Sequence, residues 1–166
     1  MKIMKRQPKG VTLMELMIYL GISTIVVLAL TSYLVQATKA RVEMNNQQFV
    51  QHNTRQALEK MTYALRNAYD VAVYQEGSAV DIYSYNFDDP AKPIIYTFKY
   101  KDQDLFYGQS VEVPPAEESL QQLTDDGVSV ESVSFKKISS SLQVQLVMKK
   151  NERQATLNST IAFRQQ

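Results

Sequence analysis

Glu15 is the residue whose chemistry most needs explaining. It stands at the edge of a run from Leu16 to Val35 that contains no charged side chain. Twenty residues at about 1.5 Å rise per residue make a helix of roughly 30 Å, the thickness of a bilayer's hydrocarbon core. A carboxylate at the centre of such a span costs ~2.5–3.5 kcal/mol on insertion scales, and less towards the interface. Two uses fit an acid in this position. It caps the start of its own helix, where negative charge is favoured, or it awaits a cation supplied by another chain. Lys2, Lys5, Arg6 and Lys9 precede it with no intervening acid.

Other reactive side chains suggest less. His52 is the only histidine and falls among Gln51 and Asn53 on a polar helical surface, with no partner at metal or acid–base spacing. Asp88-Asp89, Asp102/Asp104 and Asp125-Asp126 are oxygen-rich, but none has the spacing of a known calcium loop, and Asp beside Pro or Gly is ordinary turn chemistry. No metal or other cofactor is expected. Ten of the 16 aromatic residues lie between Tyr69 and Tyr107; they read as strand residues, half of them in the core. Lys136-Lys137 and Lys149-Lys150 read as solvated strand ends. With five glycines, one histidine and no cysteine, there is no phosphate-binding loop, nucleophile–base pair or catalytic triad. The chain does not read as an enzyme.

The elements that position Glu15 follow from the periodicity. No Pro or Gly occurs between Gly21 and Gly77, so the helix that opens near Val11 is expected to run to about Tyr69. Beyond Val35 it turns amphipathic, with Val50, Leu58, Met61, Leu65, Ala68 and Tyr69 forming one apolar stripe. From Val71 the period becomes two. Strands are expected over Val80–Tyr85, Ile94–Lys101, Val128–Phe135, Leu142–Met148 and Leu157–Phe163, separated by turns at Asp88-Asp89-Pro90, Pro114-Pro115, Asp125-Asp126-Gly127 and Lys150-Asn151. A long helix followed only by strands predicts an α+β fold with an antiparallel sheet packed on one helix. The expected divisions are a basic N-terminal stretch over 1–10 (a leader, on the family resemblance given below), an apolar half-helix over 11–35 (for membrane or, on that resemblance, assembly), an amphipathic half-helix over 36–70 and a β-rich head over 71–166.

Net charge adds orientation. Removing the four basic residues of the leader leaves 14 Lys and Arg against 17 Asp and Glu, a net of −3. Bulk charge therefore does not indicate a nucleic-acid surface. Basic residues flanking a first helix hold their side in the cytoplasm, which puts the head outside it. Without cysteine the head has no disulfide and must rely on its core. A cleaved secretory signal would have a shorter apolar stretch and a small-x-small site after it; a plain, uncleaved signal anchor is the stronger competing reading.

The sequence Gly10-Val11-Thr12-Leu13-Met14-Glu15-Leu16 after a short basic leader resembles the cleavage and methylation motif of type IV prepilins and pseudopilins. Val11 stands where that family commonly has phenylalanine. The resemblance implies a type IV pilin-like fold, cleavage by a prepilin peptidase between Gly10 and Val11, methylation of the new Val11 amine, and Glu15 as the assembly residue that pairs with a neighbour's amine. The helix end over Arg55–Ala68 and the ending Asn158–Arg164 are similar to J-type minor pseudopilins and W-type minor pilins. The implied partners are the prepilin peptidase, other minor subunits and a major subunit reached through N-terminal helices, and membrane lipid before assembly. The implied location is the inner or cytoplasmic membrane, single-pass, then a pilus or pseudopilus. The implied function is a minor structural subunit at or near a filament tip, although a tip-most subunit often lacks the acid present at Glu15. One rival reading makes the head an adhesin or DNA-uptake subunit, with exposed tyrosines beside Lys99 and Lys101. A farther one is a signal-anchored protein that never polymerises.

Overall fold

The computed structural model describes residues 11–111, 113–125 and 127–164. A single helix, α1, occupies Leu13–Arg66, 54 residues long. Eight strands follow: β1 (Ala68–Tyr74), β2 (Ala79–Ser84), β3 (Ile94–Lys101), β4 (Asp104–Val111), β5 (Gln121–Gln122), β6 (Ser129–Ile138), β7 (Ser141–Lys150) and β8 (Arg153–Ala162). The chain divides into two units that part between Val42 and Glu43.

The first unit is the apolar stretch of α1. Its most apolar window has a mean hydropathy of 2.2 and no buried residue, so by length and composition this helix is able to cross a membrane. Every side chain from Val11 to Val35 is exposed. A helix that is apolar all round and covered by nothing in its own fold needs lipid or other helices as its solvent.

The second unit is the head. β1 to β5 form a five-stranded antiparallel sheet in sequence order, and β6 to β8 a separate three-stranded antiparallel sheet. Val50, Ala57, Met61, Ala64 and Leu65 on the last turns of α1 share one core with Val71, Val80, Ile82, Phe98 and Leu105 of the first sheet and Val130, Leu142, Val144, Leu146 and Met148 of the second. Full burial of each large side chain contributes about 1.5–3 kcal/mol, so this shared core holds the head together. The architecture is α+β, a long N-terminal helix followed by antiparallel sheets that pack on its amphipathic end, which fits a type IV pilin-like fold.

Three details differ from the sequence reading. The helix stops at Arg66, short of Tyr69, and Ala68 and Tyr69 belong to β1. The alternating β-formers Tyr69, Val71, Val73 and Tyr74 suit a strand, and the Ser84 hydroxyl takes the Ala64 carbonyl of the last helical turn at 2.6 Å. In the stripe, Val50, Met61, Leu65 and Ala68 are buried as expected, whereas Leu58 and Tyr69 are only half-buried. The strands make two sheets rather than one, and they include β4, which was not expected. Its segment Leu105-Phe106-Tyr107 shows no clean alternation because both faces of the first sheet are covered. Behind it the chain between β4 and β5 crosses Gly108 so closely that a Cβ there would lie 2.5 Å from Leu120 Cδ2 and 3.1 Å from Pro115 Cβ. That crossing segment is held by Lys99, which bonds Glu117, by Lys101 at 3.7 Å from Glu117, and by Ser110, whose hydroxyl donates to the Val113 carbonyl.

Candidate functional site

Thr12 starts the helix. Its hydroxyl accepts from the Glu15 backbone N–H at 3.3 Å and its carbonyl from the Leu16 N–H at 3.2 Å. This is N-capping by Thr, satisfying backbone donors that the helix itself leaves without partners. Glu15 lies in the first turn, where the helix dipole favours an acid, and among the described residues its side chain makes no capping hydrogen bond. Its Oε1 accepts instead from the hydroxyl of Tyr19 at 3.2 Å, one turn further along.

Further along the helix the threonines bond their own backbone. The hydroxyls of Thr24, Thr31 and Thr38 each donate at 2.8 Å to the carbonyl four residues back, on Leu20, Val27 and Leu34. Side chains seven apart share a face, and at 100° per residue this face lies nearly opposite Glu15 and Tyr19. Gly21 meets no atom within 4 Å of where a Cβ would be. The span thus has one face on which threonine hydroxyls, already satisfied, lie among larger apolar side chains, and another that carries an acid. Val11, the expected methylation position, is 65% exposed ahead of the helix; Gly10, on the other side of the expected cut, lies outside the described residues.

The head places the remaining candidates in structural roles. His52 is exposed on the helix. Among the described residues no three His, Cys, Asp or Glu gather as a metal site. Asp125 is tied to the helix: buried Asn53 donates from Nδ2 to Asp125 Oδ2 at 3.1 Å, and the Asp125 N–H donates to Asn53 Oδ1 at 2.8 Å. Asp104 accepts from the Thr124 hydroxyl at 2.9 Å, and Asp89 from the Ala91 N–H at 3.2 Å. Asp126 lies outside the described residues. Lys137 pairs with Asp70 at 2.6 Å, and Lys150 sits over the ring of Phe49 at 4.1 Å.

The aromatic residues separate into core and rim. Tyr96, Phe98 and Tyr107 cluster against the helix, with Tyr63 edge-on to Tyr96 at 6.2 Å and the Lys60 ammonium 4.5 Å from the Tyr107 centroid. Burial pushes the Tyr96 phenol up to about 12 and raises that of Tyr107. Burial also raises Tyr74, whose hydroxyl donates to buried Asp81 at 3.1 Å. Lys99 and Lys101 do not front an open aromatic surface: they face Glu117, and hydrogen bonding from Lys99 holds that carboxyl below its ordinary value. Exposed aromatic and basic groups meet elsewhere, in a cleft of about 330 Å³ lined by Arg66, Asn67, Ala68, Tyr85, Phe87 and Arg164. Phe87 is 79% exposed there, on a loop ordered by Asn86 Oδ1, which accepts from the Asp88 and Asp89 N–H groups.

Sequence reasoning singled out Glu15 but did not foresee its hydrogen bond with Tyr19, although i+4 spacing on a helix is the signal for such a contact. It also missed Asn53, a polar residue within the apolar stripe, and the cleft, whose residues come from the helix end, the β2–β3 loop and the chain beyond β8. No family model, no curated protein and no solved structure matches this chain.

Proposed function

We propose that this chain is a minor pilin or pseudopilin. It is made as a membrane precursor, cut between Gly10 and Val11 by a prepilin peptidase, and incorporated at or near the tip of a type IV filament or a secretion pseudopilus. The observation that carries the reading is the carboxylate of Glu15 on an otherwise uncharged, fully exposed helical span whose cap is already supplied by Thr12. A carboxylate freed from capping is available to the Val11 amine of a neighbouring chain. Pairing removes part of the lipid cost of the charge, while the apolar faces supply the contact area between helices.

Two experiments test this. Intact mass of the protein made with and without a prepilin peptidase should show loss of residues 1–10 and gain of one methyl; an unprocessed chain would favour the signal-anchored reading. Glu15→Val should insert into membrane normally and fall about tenfold in filament incorporation, because ~1.4 kcal/mol of lost pairing is a factor of ten. Undiminished incorporation would remove the charge-pairing mechanism.

One observation favours an additional recognition role for the head, as an adhesin or DNA-uptake subunit. The cleft between Arg66 and Arg164 presents an exposed phenylalanine beside two guanidinium groups, a combination suited to stacking on planar anionic ligands. Binding of single-stranded DNA that is lost on Phe87→Ala with Arg164→Ala, and retained on Lys101→Ala, would support it. No binding by the intact protein, or loss only on Lys101→Ala, would dismiss this cleft.

A further inference from the structure

We infer that Tyr19 is a positioning residue for Glu15: its phenol holds the carboxylate against the helix while the chain waits in lipid and surrenders it when a neighbour's amine docks. This rests on the proposed filament role of Glu15, and it adds a residue that the cleavage motif does not contain.

The argument starts from what lipid denies. An ionised carboxylate accepts at about four lone-pair positions, and water fills them in solution. On an exposed apolar span each unfilled position is costly. The Thr12 hydroxyl accepts from the Glu15 N–H, and among the described residues it makes no bond to the carboxylate. The hydroxyls of Thr24 and Thr31 donate to their own helix and face away. Among the described residues, Tyr19 is the one that brings a donor to the Glu15 carboxylate, at 3.2 Å and i+4 spacing. The phenol benefits equally, since its own hydroxyl would otherwise lie bare about one helical turn deeper than Glu15. A hydrogen bond to a charged acceptor is among the stronger kinds. One such bond leaves most of the carboxylate's acceptor capacity unfilled, which suits a group that is held and then released.

The test uses the full chain in lipid nanodiscs and a hydrophobic carbodiimide that labels membrane carboxyls, read by intact mass and peptide mapping. Glu15→Gln identifies the Glu15 label by its loss. Tyr19→Phe should label at Glu15 several-fold faster than the unsubstituted chain. Tyr33→Phe, some 21 Å further along the helix, should not change the rate. Equal labelling in Tyr19→Phe, or equal acceleration by Tyr33→Phe, overturns the inference. Neither outcome depends on filaments forming, so failure here is distinguishable from failure of the assembly reading. In a filament assay, Tyr19→Phe should incorporate at least as well as the parent, since no bond is then given up on docking, and should make no difference in a Glu15→Gln background. Additive losses would mean that Tyr19 acts by packing and not through Glu15.

Discussion

Asn53→Ala removes three hydrogen bonds at a single buried position, and its cost follows from their geometry. Asn53 is 1% exposed. Its Nδ2 donates to the Phe49 carbonyl at 2.9 Å and to Asp125 Oδ2 at 3.1 Å, while its Oδ1 accepts from the Asp125 N–H at 2.8 Å. Neutral hydrogen bonds contribute about 1 kcal/mol each and those to a charged group about 1.5–3. Asp125 is exposed, so water recovers much of the carboxylate's share in the variant, and the expected net loss is about 2–3 kcal/mol. For a domain of this size that is roughly 8–12 °C in Tm. The assay is urea and thermal unfolding of the detergent-solubilised full chain followed by tyrosine emission, since there is no tryptophan. Asn53→Asp tests the donor requirement separately: it places two carboxylates side by side and should cost more than alanine at neutral pH, recovering in acid as one of them takes a proton. A loss under about 0.5 kcal/mol for Asn53→Ala would refute the claim that this side chain ties the turn before β6 to the helix.

The other perturbations address the core and the segment that crosses the first sheet. Phe98→Ala empties a fully buried site between helix and sheet and should cost about 3–5 kcal/mol by denaturant unfolding. Gly108→Ala puts a methyl where Leu120 and Pro115 already lie; leucine's end can swing but the proline ring yields less, so a loss of about 1–3 kcal/mol is expected, with faster proteolysis over residues 113–120. Hydrogen bonding from Lys99, with the charges of Lys99 and Lys101, holds the Glu117 carboxyl below its ordinary 4.5. A depressed folded-state value adds stability that is present above the unfolded value and lost as pH falls through the folded one. The crossing segment should therefore become protease-sensitive below about pH 4.5, and Glu117→Gln should show that sensitivity at neutral pH with a flattened pH dependence. The Tyr96 phenol, raised by burial to about 12, adds stability that is complete below the unfolded tyrosine value and lost as pH rises through the folded one. Tyr96→Phe should accordingly weaken the alkaline unfolding transition.

How far the fold could be read from the sequence depended on how one-sided each element's burial is. The span from Leu16 to Val35 declares itself by composition, and β7 by the alternation of Leu142, Val144, Leu146 and Met148, because its second face is open. β4 was invisible because Gly108 and the residues around it are covered on the side opposite the core, and coverage on both faces erases alternation. The turn before it was equally silent: Asp102 and Gln103 take φ of 53° and 67° without the glycine that normally announces such a hairpin. Asn151, at φ 54°, did mark its turn, since asparagine tolerates that region. At the candidate site the acid was legible from local sequence alone. The cleft at Arg66 and Arg164 was not, because it joins residues almost a hundred positions apart.

The polar groups of the span also limit what can dock on it. The threonine hydroxyls that face away from Glu15 are tied to carbonyls of their own helix at 2.8 Å, so that face offers a neighbour shape and apolar contact. The acid is different in kind. Among the described residues it accepts from one neutral hydroxyl, which leaves most of its acceptor capacity open. A neutral partner helix would bury that capacity at a cost, whereas a terminal amine brings both an opposite charge and several N–H donors. An apolar contact is tolerant of register, because sliding one smooth helix past another changes little area. A charge pair is not, since its energy falls steeply once a carboxylate and an amine no longer touch. On the proposed reading, affinity between subunits comes from the twenty residues after Glu15, and the axial position of one subunit against the next comes from Glu15 itself. Moving the acid one helical turn inward, as Glu15→Gln with Tyr19→Glu, should then leave membrane insertion intact and fail to restore incorporation. Restored incorporation would show that a charge anywhere near the helix start suffices and that register is set elsewhere.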